Sequence, residues 1–302
     1  MTDVTAERVT DLSFVLLTAS GYVAGTIGTR AVPPITLLTW RFAVAAVALA
    51  GIALAVRAPW PRTWAGWRDT VVAGLLLQGV SFAGTYLGLA LGLPAGLAAL
   101  IFGLSPLTVA LAGGPLLGER LTGRQWLGSA LGVAGVALAL SGRLSGPHGW
   151  GGVAFALLGV AGFTAGTLYQ RGHGHQMHLA SGGAIQLGAA AVAFAPIAAL
   201  HGGLGLPATV PALGALTWLV VANSIGAATL FLLLVRRRSA ALATGPMYLV
   251  PPVTALVAVP MLGQPLGPTG WLGLATACAG VLLLRPGTPR REHSTKAALA
   301  RT

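Results

Sequence analysis

Apolar residues fill this chain in long blocks, separated by short segments where Arg, Gly, Pro and Ser gather. Ten blocks approach the roughly 20 residues needed to span a bilayer. They lie near 12–29, 35–56, 70–90, 95–117, 124–141, 151–170, 181–200, 211–235, 240–261 and 269–284. In hydrocarbon every backbone N–H and C=O must be satisfied within the protein, so the blocks predict helices. They lack the roughly ten-residue alternating segments of a transmembrane barrel. The first block follows an acidic stretch (Asp3, Glu7, Asp11) with no clear small-residue cleavage site after it, and so predicts a retained span rather than a signal peptide.

The pattern occurs twice. Residues 95–138 align without a gap on residues 240–283, 145 positions further on. Pro106 meets Pro251, Pro115 meets Pro260, Trp126 meets Trp271, Gly128 meets Gly273 and Gly135 meets Gly280. The same offset sets Gln78 against Asn223 and Arg41 against Gln186. GYVAGTIGTR (21–30) echoes GFTAGTLYQR (162–171) at an offset of 141. A solenoid unit is far shorter, roughly 20–50 residues. The chain therefore divides into a first copy over 12–141, a second over 151–285, and a polar, basic tail at 286–302 expected to be disordered. Five spans per copy is an odd number, so the second copy enters the membrane from the opposite side. The expected fold is an all-α integral membrane protein of ten transmembrane helices in two inverted five-helix repeats, an architecture that points to transport.

Composition agrees with a lipid solvent. Charged residues are 8% and hydrophobic residues 55%, with mean hydropathy +0.80; soluble domains carry about 25% charged residues. The formal charge of +12 is unevenly distributed. With the N-terminus in the cytoplasm, fifteen of the eighteen basic residues fall on the cytoplasmic side, among them Arg57, Arg62, Arg68, Arg120, Arg124 and Arg236 to Arg238. The positive-inside rule then gives a multi-pass protein of the cytoplasmic (inner) membrane with both termini inside. The net charge is thus orientation charge and does not call for nucleic acid; the expected partners are the bilayer and a small-molecule substrate.

Several motifs resemble a known family. PPITLLTWRF (33–42), YLGLALGLPAGLAALIFGLSPL (86–107), LLGERLTGRQWLG (116–128) and PMYLVPPVTALVAVPMLGQPL (246–266) together look like the EamA type of the drug/metabolite transporter superfamily. The resemblance covers nearly the whole chain. It implies a ten-helix inner-membrane carrier that moves small organic metabolites, often amino acids or related compounds, outward. It does not identify the cargo. One departure is Gln264, where the family pattern usually has Glu.

Ionisable groups narrow the mechanism. The acids are Asp3, Glu7, Asp11, Asp69, Glu119 and Glu292, in the tails or at cytoplasmic ends of spans. Proton-driven carriers commonly titrate a buried carboxylate, and no block has one at its centre. Uncoupled transport is therefore expected over a proton-coupled multidrug or metabolite antiporter. A receptor or assembly protein without transport is the remaining alternative; no nucleophile, acid pair or cofactor motif supports an enzyme, and no cofactor is expected.

Arg41 is the one charge inside a span, about 10 Å past the helix start at Pro34. An Arg at that depth needs protein or water around it, so it either attracts a substrate carboxylate or holds structure. Gln78, Ser81 and Thr85, spaced three and four apart, share one face of an α-helix and form a candidate lining with Asn223. Tyr22, Tyr86 and Tyr248 are candidate cavity aromatics, and Ser105 and Tyr248 lie next to the intraspan prolines 106 and 251. The loop His173, His175 and His178 lacks the Cys, Asp or Glu that would complete a metal site, and none is expected. Cys278 is the single cysteine. Gly128, Gly132 and Gly135, with Gly273, Ala277 and Gly280, form small-residue faces suited to packing within the chain or to a homodimer.

Overall fold

The structure is a computed structural model that describes residues 2–117, 122–141, 149–173, 177–201, 203–206, 208–227, 229–230, 234 and 245–283. The basic tail from 286, Glu119, His175, Arg236 to Arg238 and the side chain of Tyr248 lie outside the described set. Described residues form helices and connections, with no strand among them.

The first helix, α1 (Thr2–Ala31), is followed by α2 (Pro34–Ala55). Pro33 and Pro34 start α2, where a missing N–H costs nothing. The next rod is α3 (Trp64–Gly74), a π-helical turn (Leu75–Val80) and α4 (Ser81–Ala90), with Thr63 Oγ1 accepting from Gly66 N at the N-terminus. Then come α5 (Ala95–Phe102), α6 (Ser105–Leu117), α7 (Gly123–Ser141), α8 (Gly149–His173) and α9 (Leu179–His201). A second rod joins α10 (Val210–Trp218) to a nine-residue π segment (Leu219–Ala227). After a 3₁₀ turn (Gly245–Leu249) come α11 (Val250–Leu262) and α12 (Pro268–Leu283).

Seven helices among the described residues are long and apolar enough to cross a membrane, and α11 is a shorter apolar helix. The pattern predicted ten spans. The difference lies in three places: α7 carries Arg124 and Gln125 in its first turn, α12 runs for 16 residues, and α11 runs for 13 with residues 235–244 before it outside the described set. Outward faces are apolar: Val47, Val192, Leu200 and Val210 are 74–84% exposed. A soluble fold would not leave such faces open, whereas lipid covers them. The chain is a multi-pass membrane protein.

The intraspan prolines left open either a bend or a break, and at both places they lie at the start of a new helix. After α5 the chain steps through Gly103 and Leu104, and Pro106 sits in the first turn of α6. Pro251 likewise sits in the first turn of α11. A proline in a first turn sacrifices no intrahelical bond, so a break upstream is the lower-energy solution. The Pro251 ring lies beside Gly103, so the two breaks face each other.

Close packing joins distant parts of the sequence. Helix α2 runs along α9, α7 along α12, α4 along α8, α1 against both α10 and α11, and α5 against α11. The glycine faces of α7 and α12 meet within the chain: a Cβ on Gly135 would collide with the Ala277 backbone, and one on Gly280 with Gly132 and Gly128. That contact covers both faces.

Candidate functional site

A cavity of about 120 Å³ lies between α1, α2, α4, α5 and the second π segment. Its lining includes Thr18, Tyr22, Arg41, Ser81, Thr85, Tyr86 and Asn223. Arg41 is 4% exposed. Its Nη1 donates to the Tyr86 hydroxyl at 2.6 Å and its Nε to Ser224 Oγ at 3.3 Å. Its guanidinium carbon stands 4.6 Å from the centre of the Phe82 ring, within cation–π range. Among the described residues the one ion pair is Arg68 with Asp69, so no described carboxylate neutralises Arg41. Its partners are hydroxyls and rings from α4 and the second π segment, not backbone carbonyls.

Two hydroxyls deepen the polarity of this space. Thr18 Oγ1 and Ser81 Oγ are buried and have no hydrogen-bond partner among the described residues, and both residues line the cavity. An unmade buried hydrogen bond costs about 1–3 kcal/mol, so such groups mark where a polar guest fits. Asn223 Nδ2 donates to the Leu17 carbonyl at 2.9 Å. Its amide lies over Gly21, where a Cβ would fall on it. Gly21 is therefore required for this close approach.

The two π segments sit in corresponding parts of the two copies, since 75–80 moved by 145 falls inside 219–227. A π turn spaces its bonds five residues apart and shifts the register of the helix beyond it. Gln78, inside the first π turn, does not join the cavity, while Ser81 and Thr85 beyond it do, as does Asn223 within the second π segment. The α-helical spacing that grouped all three fails here. Ser105 is also absent from the lining; its Oγ donates to the Phe102 carbonyl at 2.5 Å, closing the break after α5. Tyr248 has only its backbone described, in the 3₁₀ turn before α11. Thr18, Gly21, Phe82 and Phe102 line the cavity but were not singled out from the sequence. On α1 the small and polar residues Thr18, Gly21, Tyr22 and Gly25, at three- and four-residue spacings in an apolar helix, carried a legible signal.

A second, smaller polar space lies toward the N-terminal end of α3 and includes Asp69, Tyr169, His173 and Gln186. Tyr169 donates its hydroxyl to Asp69 Oδ1 at 3.0 Å, and its ring stacks on His173 at 4.4 Å. Arg41 and Gln186, set against each other by the 145 offset, thus serve different spaces. No group of three His, Cys, Asp or Glu suited to a metal gathers among the described residues.

A helical, multi-pass membrane protein with a buried, cationic, partly unsatisfied cavity has the features of a membrane transporter. Comparison with known proteins gives the particular family: residues 12–141 and 150–285 both match the EamA-like transporter family, and the chain belongs to it. It is 29% identical over 278 residues to the "Uncharacterized inner membrane transporter YedA" of Escherichia coli (strain K12), covering 90% of this chain and 88% of that one. It is 33% identical over 217 residues to the "Probable terminal-alkyne amino-acid exporter" of Streptantibioticus cattleyicolor, covering 67% and 68%. A solved crystal structure whose description names no function superposes with a TM-score of 0.65 at 20% identity, over 93% of this chain and 97% of that one. It supports the fold alone.

Proposed function

We propose that this transporter is a secondary carrier moving small organic carboxylates, amino acids and related metabolites among them, outward across the cytoplasmic membrane by alternating access. Both termini lie in the cytoplasm in this reading. The observation that carries it is Arg41: a buried guanidinium with hydroxyl and aromatic neighbours, no described carboxylate, and two unpartnered hydroxyls in the same cavity. Burying an uncompensated charge is costly, and a substrate carboxylate offsets that cost. The exporter relative from Streptantibioticus cattleyicolor is consistent with amino-acid cargo.

Alternating access is supported by the packing. If spans one to five correspond to six to ten, the α1–α11 contact corresponds to α8 against α6, and α4–α8 to the second π segment against α1; all four contacts occur. The α2–α9, α7–α12 and α5–α11 contacts map onto themselves. This is the pattern expected of ten helices in two inverted repeats rocking about a central site. No carboxylate lines the Arg41 cavity, which favours movement down a gradient without a coupled proton.

The test is counterflow in liposomes with purified protein, across a panel of amino acids, other carboxylates and their amides, with and without a pH gradient. Carboxylates are expected to move, their amides to move at least ten-fold more slowly, and Arg41→Gln to erase that difference. If no solute moves, or if Arg41→Gln discriminates as the wild type does, the carrier site is wrong. A requirement for the pH gradient overturns the uncoupled mechanism.

A further inference from the structure

An apolar groove of about 720 Å³ runs between α2, α3 and α9 on the outside of the helix bundle. Small residues, including Ala46, Ala50 and Gly188, pave it, while Val47 and Val192, both about three-quarters exposed, stand among its walls. From Ala184 to Ala193 along α9 it extends about 14 Å at ~1.5 Å per residue. That is the depth of one leaflet, half of a hydrocarbon core about 30 Å thick. Trp60 and Trp67 close one end, stacked at 6.3 Å with their planes 16° apart.

That end meets a rigid basic loop. Ser181 Oγ donates to the Pro59 carbonyl at 2.7 Å and Trp67 Nε1 to the Pro61 carbonyl at 3.0 Å, tying the loop to α9 and α3. It carries Arg57 and Arg62, both exposed and neither in an ion pair with a described residue, and it has no acid of its own. Arg68 is different, being held by Asp69.

The backbone makes Arg57 unusual. Helix α2 ends in a Schellman motif: Ala58 N donates to the Ala53 carbonyl at 2.7 Å and Arg57 N to Leu54 at 3.1 Å. The same pair of bonds ends α4, from Leu93 to Gly88 and from Gly92 to Leu89. There the left-handed position is Gly92 at φ +86°, the residue such a cap favours. At the end of α2 it is Arg57 at φ +52°, the only non-glycine with positive φ among the described residues. A side chain there costs conformational energy that glycine would avoid. The cation stands in the loop that brings Trp60 to the groove, in spite of that cost.

We propose that this groove is a binding site for an anionic phospholipid, with one acyl chain laid along α2 and α9 under Trp60 and Trp67, and the head-group phosphate held by Arg57 and Arg62. Basic pockets at helix ends recognise anionic head groups in this way, and each arginine near the surface contributes enough for about a five-fold preference. The site is separate from the Arg41 cavity and does not depend on what that cavity carries.

The test is tryptophan quenching by acyl-brominated lipids, with purified protein in nanodiscs of phosphatidylcholine and increasing phosphatidylglycerol. The signal of Trp60 and Trp67 is isolated by difference against a Trp60→Phe/Trp67→Phe protein. Brominated phosphatidylglycerol is expected to quench at a mole fraction roughly 30-fold below that of brominated phosphatidylcholine, and Arg57→Gln/Arg62→Gln to remove the difference. Arg57→Gly relieves the left-handed strain, so it should melt no lower than wild type and still lose about five-fold of the preference. Equal quenching by the two lipids overturns the proposal, as does a preference that survives the double substitution. Particles holding two copies, with this tryptophan pair shielded from both lipids, would assign the groove to a second copy instead.

Discussion

The Tyr86 hydroxyl lies 2.6 Å from Arg41 Nη1, joining α4 to α2 across the cavity wall. The phenol accepts that bond and keeps its own proton available for a bound carboxylate. Tyr86→Phe preserves the ring packing but removes both contributions. A hydrogen bond to a charged group is worth about 1.5–3 kcal/mol, so half-saturation for a carboxylate substrate should rise at least ten-fold. Counterflow at varied substrate concentration checks this; an unchanged half-saturation would place the substrate elsewhere.

Gly21 leaves the space that the Asn223 amide occupies. Gly21→Ala should push that amide away and break its bond to the Leu17 carbonyl. Asn223 is the movable partner, so the fold should persist while transport falls at least several-fold. Thermal melting measured beside transport separates the two effects, and equal losses in both would mark Gly21 as a packing residue only.

Gln264 Oε1 accepts from Ala95 N at 3.1 Å, holding the first N–H of α5. Gln264→Ala removes a cap and should cost about 1 kcal/mol, seen as a lower melting temperature. Gln264→Glu restores the side chain usual in the family and sets a negative charge at a helix N-terminus, so it should melt at or above wild type. A Glu variant less stable than the Ala variant would show that this end of α5 rejects charge.

Gly135 and Gly273 let the α7 and α12 backbones touch. Gly135→Leu must separate the helices, with an overpacking penalty of about 1–3 kcal/mol or more. Since neither helix lines the Arg41 cavity, the molecules that remain folded should transport with normal half-saturation. A change in substrate affinity at full stability would show that this contact acts on the cavity.

Much of the cavity was legible because charge and polarity are rare in lipid-facing sequence. Arg41, Ser81, Thr85, Tyr86, Tyr22 and Asn223 stand out against apolar neighbours, and the structure brings all six to one space. Gln78 stands out equally and does not join them. It sits in a π turn, and such a shift of hydrogen-bond register leaves no trace in the order of apolar and polar residues. The helix starts at Pro106 and Pro251 were half legible: the prolines marked the places, but whether each span bends or restarts depends on packing around Gly103. Phe82 was invisible as a site residue because one aromatic in an apolar block looks like core.

The Asp69–Tyr169 hydrogen bond ties α3 in the first copy to α8 in the second, beside a space that shares no lining residue with the Arg41 cavity. Asp69 is 8% exposed, and Arg68 holds the same oxygen with Nε at 2.9 Å and Nη2 at 2.8 Å. A carrier that rocks its copies must break such a link when it opens at this end. Tyr169→Phe keeps the stacking surface for His173 and deletes the hydroxyl. Losing a bond of about 1.5 kcal/mol to a charged acceptor should raise the population open at this end about ten-fold. A single reporter reads it: in a Cys278→Ser background, Ala73→Cys lines the second space, and its reaction with a polar maleimide should be about ten-fold faster with Tyr169→Phe. Equal labelling rates would mean that the link is not a gate, leaving Asp69 and Tyr169 as ordinary interhelical packing.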